Sequence, residues 1–508
     1  MSADDTARGA EDYESLPYIS MPYAQTQPAR LAAIATLHGM APPAVETASV
    51  LELGCASGGN LIPLAARFPR ARFVGFDLGR KHVEDGARRI RDLALTNIEI
   101  GQADIGELRL AEKFDYIICH GVFSWTPRAV QDAVFRICRE ALSHTGVALV
   151  SFNVLPGWRM RSAVRDLCLR HTAAETAPSR RVAMARALLN DIAALSNAGE
   201  PFGLLLRNEA QRVAHRPASY IMGEFMSAEN TAFYFSDFVE QAGRFGLAYL
   251  TDADLDAAVP ETLSAPFQER IAAHAGADML AREQYADYFT GRPFRSALLV
   301  KAETPRSAFD SERLGLLQLS GELKRIANDP EQALEDARGR AIRGKGPVIM
   351  QALSRLAAAH PATLSFAELT GETEGASARE ICEALGMVLR VGQIGASSVR
   401  LRVGRYDVAR PRAWELARQE AASGQPFVTS LAHVPVLVKP IMAWMLRRLD
   451  GSMDRVGLTA ALTDALRRGE VRVRETEQEG GGKVETIAAG YLDRALRHLA
   501  AKALLTEP

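Results

Sequence analysis

The run Glu52-Leu53-Gly54-Cys55-Ala56-Ser57-Gly58-Gly59-Asn60 carries an acid, a glycine two residues on, and then a glycine pair. It lies between the apolar Ser49-Val50-Leu51 and an amphipathic stretch from Leu61 to Phe68, the pattern of a strand, a tight turn and a helix start. Glycines without Cβ let backbone approach a ligand, and the free N–H groups of a helix start favour an anionic group. A nucleotide-like ligand is therefore expected, with Glu52, Gly54, Ala56, Gly58 and Asn60 as its contacts.

The lettering narrows the ligand. A dinucleotide turn reads G-x-G-x-x-G and seats a pyrophosphate on the helix start. Here Gly54 is followed by three residues other than glycine, and Glu52 would repel a pyrophosphate. An acid in that place suits the amino group of S-adenosylmethionine, whose carboxylate could take the helix start instead. A second acid, Asp77, ends the apolar run Arg72-Phe73-Val74-Gly75-Phe76. It lies at about the 20-residue spacing where a carboxylate meets ribose hydroxyls, and Leu78 follows it. Asp104 and Ile105 come after the short run Asn97-Ile98-Glu99-Ile100 and are assigned to the adenine, against the alternative that Asp104 only caps its own turn.

Further chemistry falls at the ends of two more runs. Phe114 to Cys119 leads into His120-Gly121-Val122-Phe123-Ser124-Trp125, and Gly146 to Phe152 leads into Asn153 and, past Pro156-Gly157, Trp158. Helical patterns from His82 to Leu93 and from Ala129 to Leu142 separate the strands. This alternation predicts a parallel, doubly wound α/β sheet with its ligand at the carboxyl ends of the strands. Tyr18, Tyr23, Gln25 and Thr26 precede the first strand and form either a lid over the ligand or an ordinary docked arm. Trp125 and Trp158 read as walls of the site or as core residues.

In these residues the chain resembles the class I S-adenosylmethionine-dependent methyltransferases. It resembles more closely a bacterial subgroup with a methyltransferase regulatory region and a helical C-terminal extension, which includes the outer-membrane-protein lysine methyltransferases of rickettsiae. The likeness rests on Tyr18 to Pro28, Leu51 to Pro63, His120 to Trp125, Ser151-Phe152-Asn153 with Pro156-Gly157-Trp158, and Phe294 to Leu299. It is strong over the first 160 residues and loose after about 320. Where the subgroup often has His-Glu-Tyr, this chain has Gly223-Glu224-Phe225. The resemblance implies a seven-stranded Rossmann-like sheet, S-adenosylmethionine as cofactor, a protein substrate with lysine as acceptor, and an acceptor near His120 at the end of the fourth strand.

A chain of 508 residues exceeds a single core, and roughly two to four domains are expected. Strand-like runs resume at Leu247-Ala248-Tyr249-Leu250 and Ala297-Leu298-Leu299-Val300, so a core with its last strand antiparallel should close near residue 302. The stretch from about 160 to 230 then becomes a helical cap, with a charged break at Pro178-Ser179-Arg180-Arg181. Two mainly helical, winged-helix-like modules are expected at 303–410 and 411–508. Their elements are helices from Pro347 to Ala358, Phe366 to Leu369, Ala378 to Val391, Val436 to Leu449, Leu458 to Arg468 and Ala488 to Leu505, a strand from Ser398 to Val403, and a wing tip at Gly480-Gly481-Gly482.

A net charge of −1 gives no global attraction to nucleic acid or anionic membrane, and Glu475, Glu477 and Glu479 on the second wing disfavour phosphate contacts. Cys55, Cys119, Cys138, Cys168 and Cys382 form no CxxC pair, which argues against disulfides and a bound metal. No apolar run of about 18 residues and no apolar leader occur, so a cytoplasmic location without a membrane partner is expected. Oligomeric state is not legible.

Methyl transfer from a sulfonium is an in-line displacement that needs alignment and a free lone pair on the acceptor. His120, Trp125, Asn153 and Trp158 are the expected catalytic residues, and His120 is also counted among the cofactor contacts. Aromatic walls would desolvate the sulfonium and hold an alkylammonium. A lysine acceptor would lose its proton by burial or to a base such as His120, and the residues leave that choice open. Protein lysine methylation is the primary reading. A small-molecule or tRNA methyltransferase, or a cofactor-binding regulatory scaffold without turnover, is the alternative.

Overall fold

The computed structural model describes residues 16, 18–197, 199–255, 263–329, 333–344, 346–371, 377–472 and 483–507. Short apolar runs form the parallel strands β1 (Ser49–Leu53), β2 (Arg72–Asp77), β3 (Ile98–Gln102), β4 (Phe114–Cys119) and β5 (Leu142–Val154). Both faces of such strands are covered by helices, which is why they read as continuous apolar runs. A two-residue β6 (Ala232–Phe233) pairs with the end of β5, and β7 (Leu247–Asp252) and β8 (Phe294–Lys301) complete the sheet. The order is β3-β2-β1-β4-β5-β8-β7, a seven-strand path in which β8 runs antiparallel to both β5 and β7. β6, off that path, had no separate sequence signal.

β1 lies between β2 and β4, with Glu52 beside Gly75 on one side and Ile118 on the other. The loops after β1 and β4 therefore diverge from a switch point, where a ligand crevice opens in this sheet type. They touch there, for a Cβ on Gly54 would lie 2.3 Å from Val122 Cγ2. Helices α1 (Pro28–Leu37), α2 (Leu61–Arg67), α3 (Arg80–Asp92) and α4 (Arg128–Ala141) flank the sheet.

The cap consists of α5 (Trp158–His171), α6 (Pro178–Leu195), α7 (Pro201–Ala214) and α8 (Ala218–Met226), packed around Val164, Leu189, Leu206 and Phe225. Pro178-Ser179-Arg180-Arg181 is the first turn of α6 rather than a break, because proline is pre-organised for the first helical position. Trp158 opens α5 and so lies in a helix rather than in a loop.

Beyond β8, helices at Pro347–Ala359, Phe366–Thr370 and Ala378–Arg390 adjoin a small sheet of Gln318–Ser320, Leu364–Ser365 and Gly395–Ser397. Capping boxes at Ser365/Glu368 and Ser377/Glu380 start two of these helices. The strand lies at Gly395–Ser397, not at 398–403, where Ser398 N–H instead bonds Ala29 O of α1. The last part has helices Glu415–Ala422, Pro440–Leu446, Arg455–Arg467 and Val484–Ala501, with a hairpin of Phe427–Thr429 and Pro435–Leu437. Val436 is thus in a strand, and the helix read from it begins only at Pro440. Glu475, Glu477, Glu479 and the Gly480-Gly481-Gly482 tip lie outside the described residues.

One apolar cluster joins Val50 and Phe73 of the sheet, Leu31 and Ile34 of α1, Leu353 and Leu385, and Trp444 and Leu492. The C-terminal modules therefore share the core of the sheet domain. Among the described residues no helix is long and apolar enough to cross a membrane.

Candidate functional site

The turn after β1 is shaped by positive φ at Gly54 (77°), Ala56 (47°) and Gly58 (74°), so Ala56 carries a strain that glycine would not. Asp77 at the end of β2 clamps it, taking Ala56 N–H on Oδ2 at 2.7 Å and Gly79 N–H on Oδ1 at 2.8 Å. The carboxylate is buried, at 3% exposure.

The glycine pair does a different job from the one its spacing implies. A Cβ on Gly58 would lie 2.5 Å from Ile100 Cδ1, and one on Gly59 2.3 Å from the backbone carbon of Ser20. The close approach is made by the N-terminal arm, not by a ligand. Gly59 N–H goes to Ser20 Oγ at 2.7 Å and Ile62 N–H to Gly58 O at 2.8 Å, while Pro63 has no N–H. The seven-residue α2 therefore offers a carboxylate less than the sequence implies.

Glu52 is buried at 4% exposure. Its Oε1 accepts Asn60 Nδ2–H at 2.9 Å, and its Oε2 has no hydrogen-bond partner among the described residues. Burial, reinforced by the nearby Asp77 and opposed by the Asn60 bond, pushes its pKa up to about 8. A buried carboxylate oxygen without a donor is costly, and an ammonium group would supply both the donor and the charge. Asn60 Oδ1 in turn accepts Tyr23 N–H at 3.2 Å and has the Thr26 hydroxyl 3.0 Å away, which ties the arm to the turn.

Leu78, next to Asp77, is 54% exposed, and Ile105 is buried. Asp104 is exposed and bonds Gly106 N–H at 2.7 Å, the turn-capping alternative, with its other oxygen left over. A cavity of about 340 Å³ adjoins the turn at Ser57 and Gly59 but excludes Glu52, Asp77 and Asp104, so it is a neighbour of this site.

His120, at the end of β4, faces the arm. Gln25 Nε2 is 3.5 Å from its Nε2, the Tyr23 ring centroid is 4.6 Å away, and the edge-on Phe294 ring is 5.9 Å away. Its Nδ1 has no partner among the described residues, and burial pulls its pKa down to about 4. The ring is therefore neutral at pH 7 and a poor proton acceptor. Asn153 pairs with Phe294 across β5 and β8, is buried, and its Nδ2 has no hydrogen-bond partner among the described residues. Tyr18 and Tyr23 share a hydrogen bond between their hydroxyls, and burial raises both pKa values. Glu224 of α8 faces both phenols and that of Tyr220; its own pKa is raised by burial, against the pull of Arg161 3.6 Å away.

The two tryptophans form another cluster. Trp158 is 2% exposed and meets Trp125 edge-on at 5.8 Å. The Arg161 guanidinium lies 5.3 Å over the Trp158 ring, and that of Arg165 5.9 Å over Trp125. These rings already hold cations of the cap, and the buried Trp158 packs the cap onto the sheet. Phe294 opens the Phe294–Leu299 run, whose sequence carries no sign of a place in the site. Ser20 and His433 were missed, the first because only the fold brings it to Gly59, the second because nothing in its sequence context points 373 residues back to Asn60.

The ensemble fits S-adenosylmethionine. Glu52 Oε2 has no hydrogen-bond donor among the described residues, which suits an ammonium group, Asp77 sets a second carboxylate against the same turn, and Leu78 exposes apolar surface beside it. Among the described residues no group of His, Cys, Asp and Glu could hold a metal ion.

Family models match residues 51–148 as a methyltransferase domain, 217–301 as a predicted methyltransferase regulatory domain, and 409–504 as the PKMT C-terminal winged helix domain. The chain is 30% identical over 497 residues to an uncharacterized protein of Rickettsia prowazekii, RP789, across 93% of this chain and 89% of the relative. A second R. prowazekii protein, RP028, is 34% identical over 232 residues, 45% of this chain and 93% of the relative. The structure of PKMT2 from Rickettsia typhi in complex with AdoHcy superimposes with a TM-score of 0.82 at 24% identity, covering 96% of this chain and 100% of that one.

Proposed function

On the premise that the chain belongs to the S-adenosylmethionine-dependent methyltransferases with a methyltransferase regulatory domain and a PKMT winged-helix domain, we propose that it methylates lysine side chains of a protein substrate. The observation that carries the acceptor is the aromatic cluster beyond β4. Tyr23 and Phe294 flank His120 there, Tyr18 bonds Tyr23, and the charge of Glu224 acts on both phenols. Aromatic faces and one carboxylate suit an alkylammonium, and offer little to a phosphate-bearing acceptor.

When bound, S-adenosylmethionine would supply an electrophilic methyl group to the acceptor's lone pair in line, the methyl–sulfur bond breaking as the methyl–nitrogen bond forms and the sulfur leaving as the thioether of S-adenosylhomocysteine. Glu52 holds the amino-acid end through its open oxygen, and Asp77 the ribose. Leu78, Asp104 and Ile105 border the base. Tyr18, Tyr23 and Gln25 close the arm over the crevice and exclude water. His120 and Asn153 line the acceptor's approach. A lysine must arrive neutral, and burial among aromatic rings lowers an amine pKa, whereas His120, with its pKa near 4, is too weak a base for that step. His120 therefore orients the acceptor and does not deprotonate it.

The test is transfer from radiolabelled cofactor into a bacterial lysate, followed by fractionation. Label recovered as methyl-lysine in protein is expected. Label confined to nucleic acid or to small molecules would overturn the acceptor, and cofactor binding without transfer to any fraction would favour a regulatory role.

A further inference from the structure

The hairpin of Phe427–Thr429 and Pro435–Leu437 in the C-terminal module places its turn on the cofactor loop. His433, 2% exposed, brings its Nε2 to 2.8 Å from Asn60 Oδ1. The partners of Asn60 fix who donates. Tyr23 N–H can only donate, so the amide atom facing it is Oδ1 and the one facing Glu52 is Nδ2. His433 Nε2 must then carry the hydrogen, and Thr26 Oγ1 can give its own to Tyr23 O at 2.9 Å. The two lone pairs of Asn60 Oδ1 are filled by Tyr23 and His433.

The turn is held in place for this contact. His433 sits at φ 62°, a left-handed conformation uncommon for residues other than glycine, though histidine, like asparagine and aspartate, adopts it more readily than most. His433 N–H bonds Ser430 O at 2.9 Å, Ser430 N–H bonds Val434 O at 3.0 Å, and Arg67 Nη1 of α2 bonds Leu431 O at 2.9 Å. A second strut reaches the other side of the loop. Thr429 N–H bonds Glu420 Oε2 at 2.6 Å, Glu420 Oε1 meets Arg89 Nη2 at 3.4 Å, and Arg89 Nη1 meets Ser57 O at 3.4 Å.

We propose that His433 is a positioning residue of the cofactor site: its Nε2–H fixes the Asn60 amide, and through it the Glu52 carboxylate, in the orientation that receives the cofactor's ammonium group. This rests on the reading of Glu52 as the ammonium acceptor. The C-terminal module thereby contributes to cofactor affinity, besides any part in docking substrate.

The test uses the full chain and calorimetric titration with S-adenosylmethionine. His433→Asn keeps a residue that tolerates the left-handed turn but is too short to reach Asn60, and His433→Gln keeps an N–H at about the right reach. Cofactor Kd and KM are expected to rise about tenfold in His433→Asn with kcat at saturating cofactor nearly unchanged, and to recover most of the way in His433→Gln. In an Asn60→Ala background, His433→Asn should change affinity by less than about twofold, because the route is already cut. A folded His433→Asn with unaltered affinity, or losses that multiply in the double variant, would overturn the proposal. Unaltered affinity in Glu52→Gln would instead remove its premise.

Discussion

The indole Nε1 of Trp158 donates to Asn230 Oδ1 at 2.7 Å, tying the first residue of α5 to the segment that follows α8. With its N–H satisfied, its ring buried and a guanidinium over its face, Trp158 is part of the seam between cap and sheet. Trp158→Ala is therefore expected to cost about 3–5 kcal/mol of stability and to lower melting temperature, cofactor affinity and turnover together. Loss of turnover alone, at an unchanged melting temperature, would return Trp158 to the acceptor wall.

Glu52 gives cofactor binding a pH signature. Its carboxyl has a pKa of about 8 without cofactor, so at pH 7 it is largely protonated, and pairing with an ammonium requires that proton to leave. Binding at pH 7 should release a proton, and affinity should fall as pH drops below about 8, by up to tenfold per unit. At higher pH the cofactor's own amine loses its charge and affinity declines again. Calorimetry in buffers of different ionisation enthalpy measures the proton directly. Glu52→Gln should flatten the acid limb, and absence of proton release at pH 7 would rule out the pairing.

The sheet is complete by Lys301, yet the fold does not end there. Leu31 and Ile34 of α1 pack into the cluster that also holds Leu353, Leu385 and Trp444. Ser307 N–H and Asp310 N–H bond His38 O and Leu37 O, both at 2.8 Å. A chain truncated after residue 302 is expected to aggregate or to melt without a cooperative transition, and to bind no cofactor. A soluble truncated chain with full-length affinity would show that the modules only dock substrate.

Local chemistry was legible where the chain itself makes the structure. The bounds of β2 and β4, the turn at Glu52 and the placement of Asp77 follow from apolar runs ending in acids and glycines. The reasons behind the glycines were less so: Gly59 is required by Ser20, 39 residues earlier, and only the folded arm reveals it. The Ser398–Val403 run looked like a strand because apolar and basic residues alternate, but its first N–H is spent on α1. Val436 to Leu449 looked like one helix although Pro440, a first-turn residue, marks where the helix starts. Long-range partners such as His433 and Asn60 leave no periodic trace in either segment.

Glu224 offers the sharpest test of the acceptor chamber. It stands on α8 facing Tyr18, Tyr23 and Tyr220, with Arg161 as the nearest cation at 3.6 Å and no hydrogen bond to its Oε2 among the described residues. If its carboxylate receives the lysine side chain, Glu224→Gln should raise KM for the protein substrate while leaving cofactor affinity and melting temperature nearly unchanged, because the lost interaction is made only with the acceptor. A loss of about 1.5–3 kcal/mol, the usual worth of a hydrogen bond to a charged group, corresponds to roughly a 10- to 150-fold fall in kcat/KM. A residue that merely balances Arg161 would behave otherwise. Neutralising it would leave the half-buried Arg161 guanidinium with only Glu209, 3.9 Å away, lowering the melting temperature and spreading the loss over cofactor and substrate alike. Steady-state kinetics with the substrate and cofactor varied in turn, together with a thermal melt of the same variant, separate the two roles.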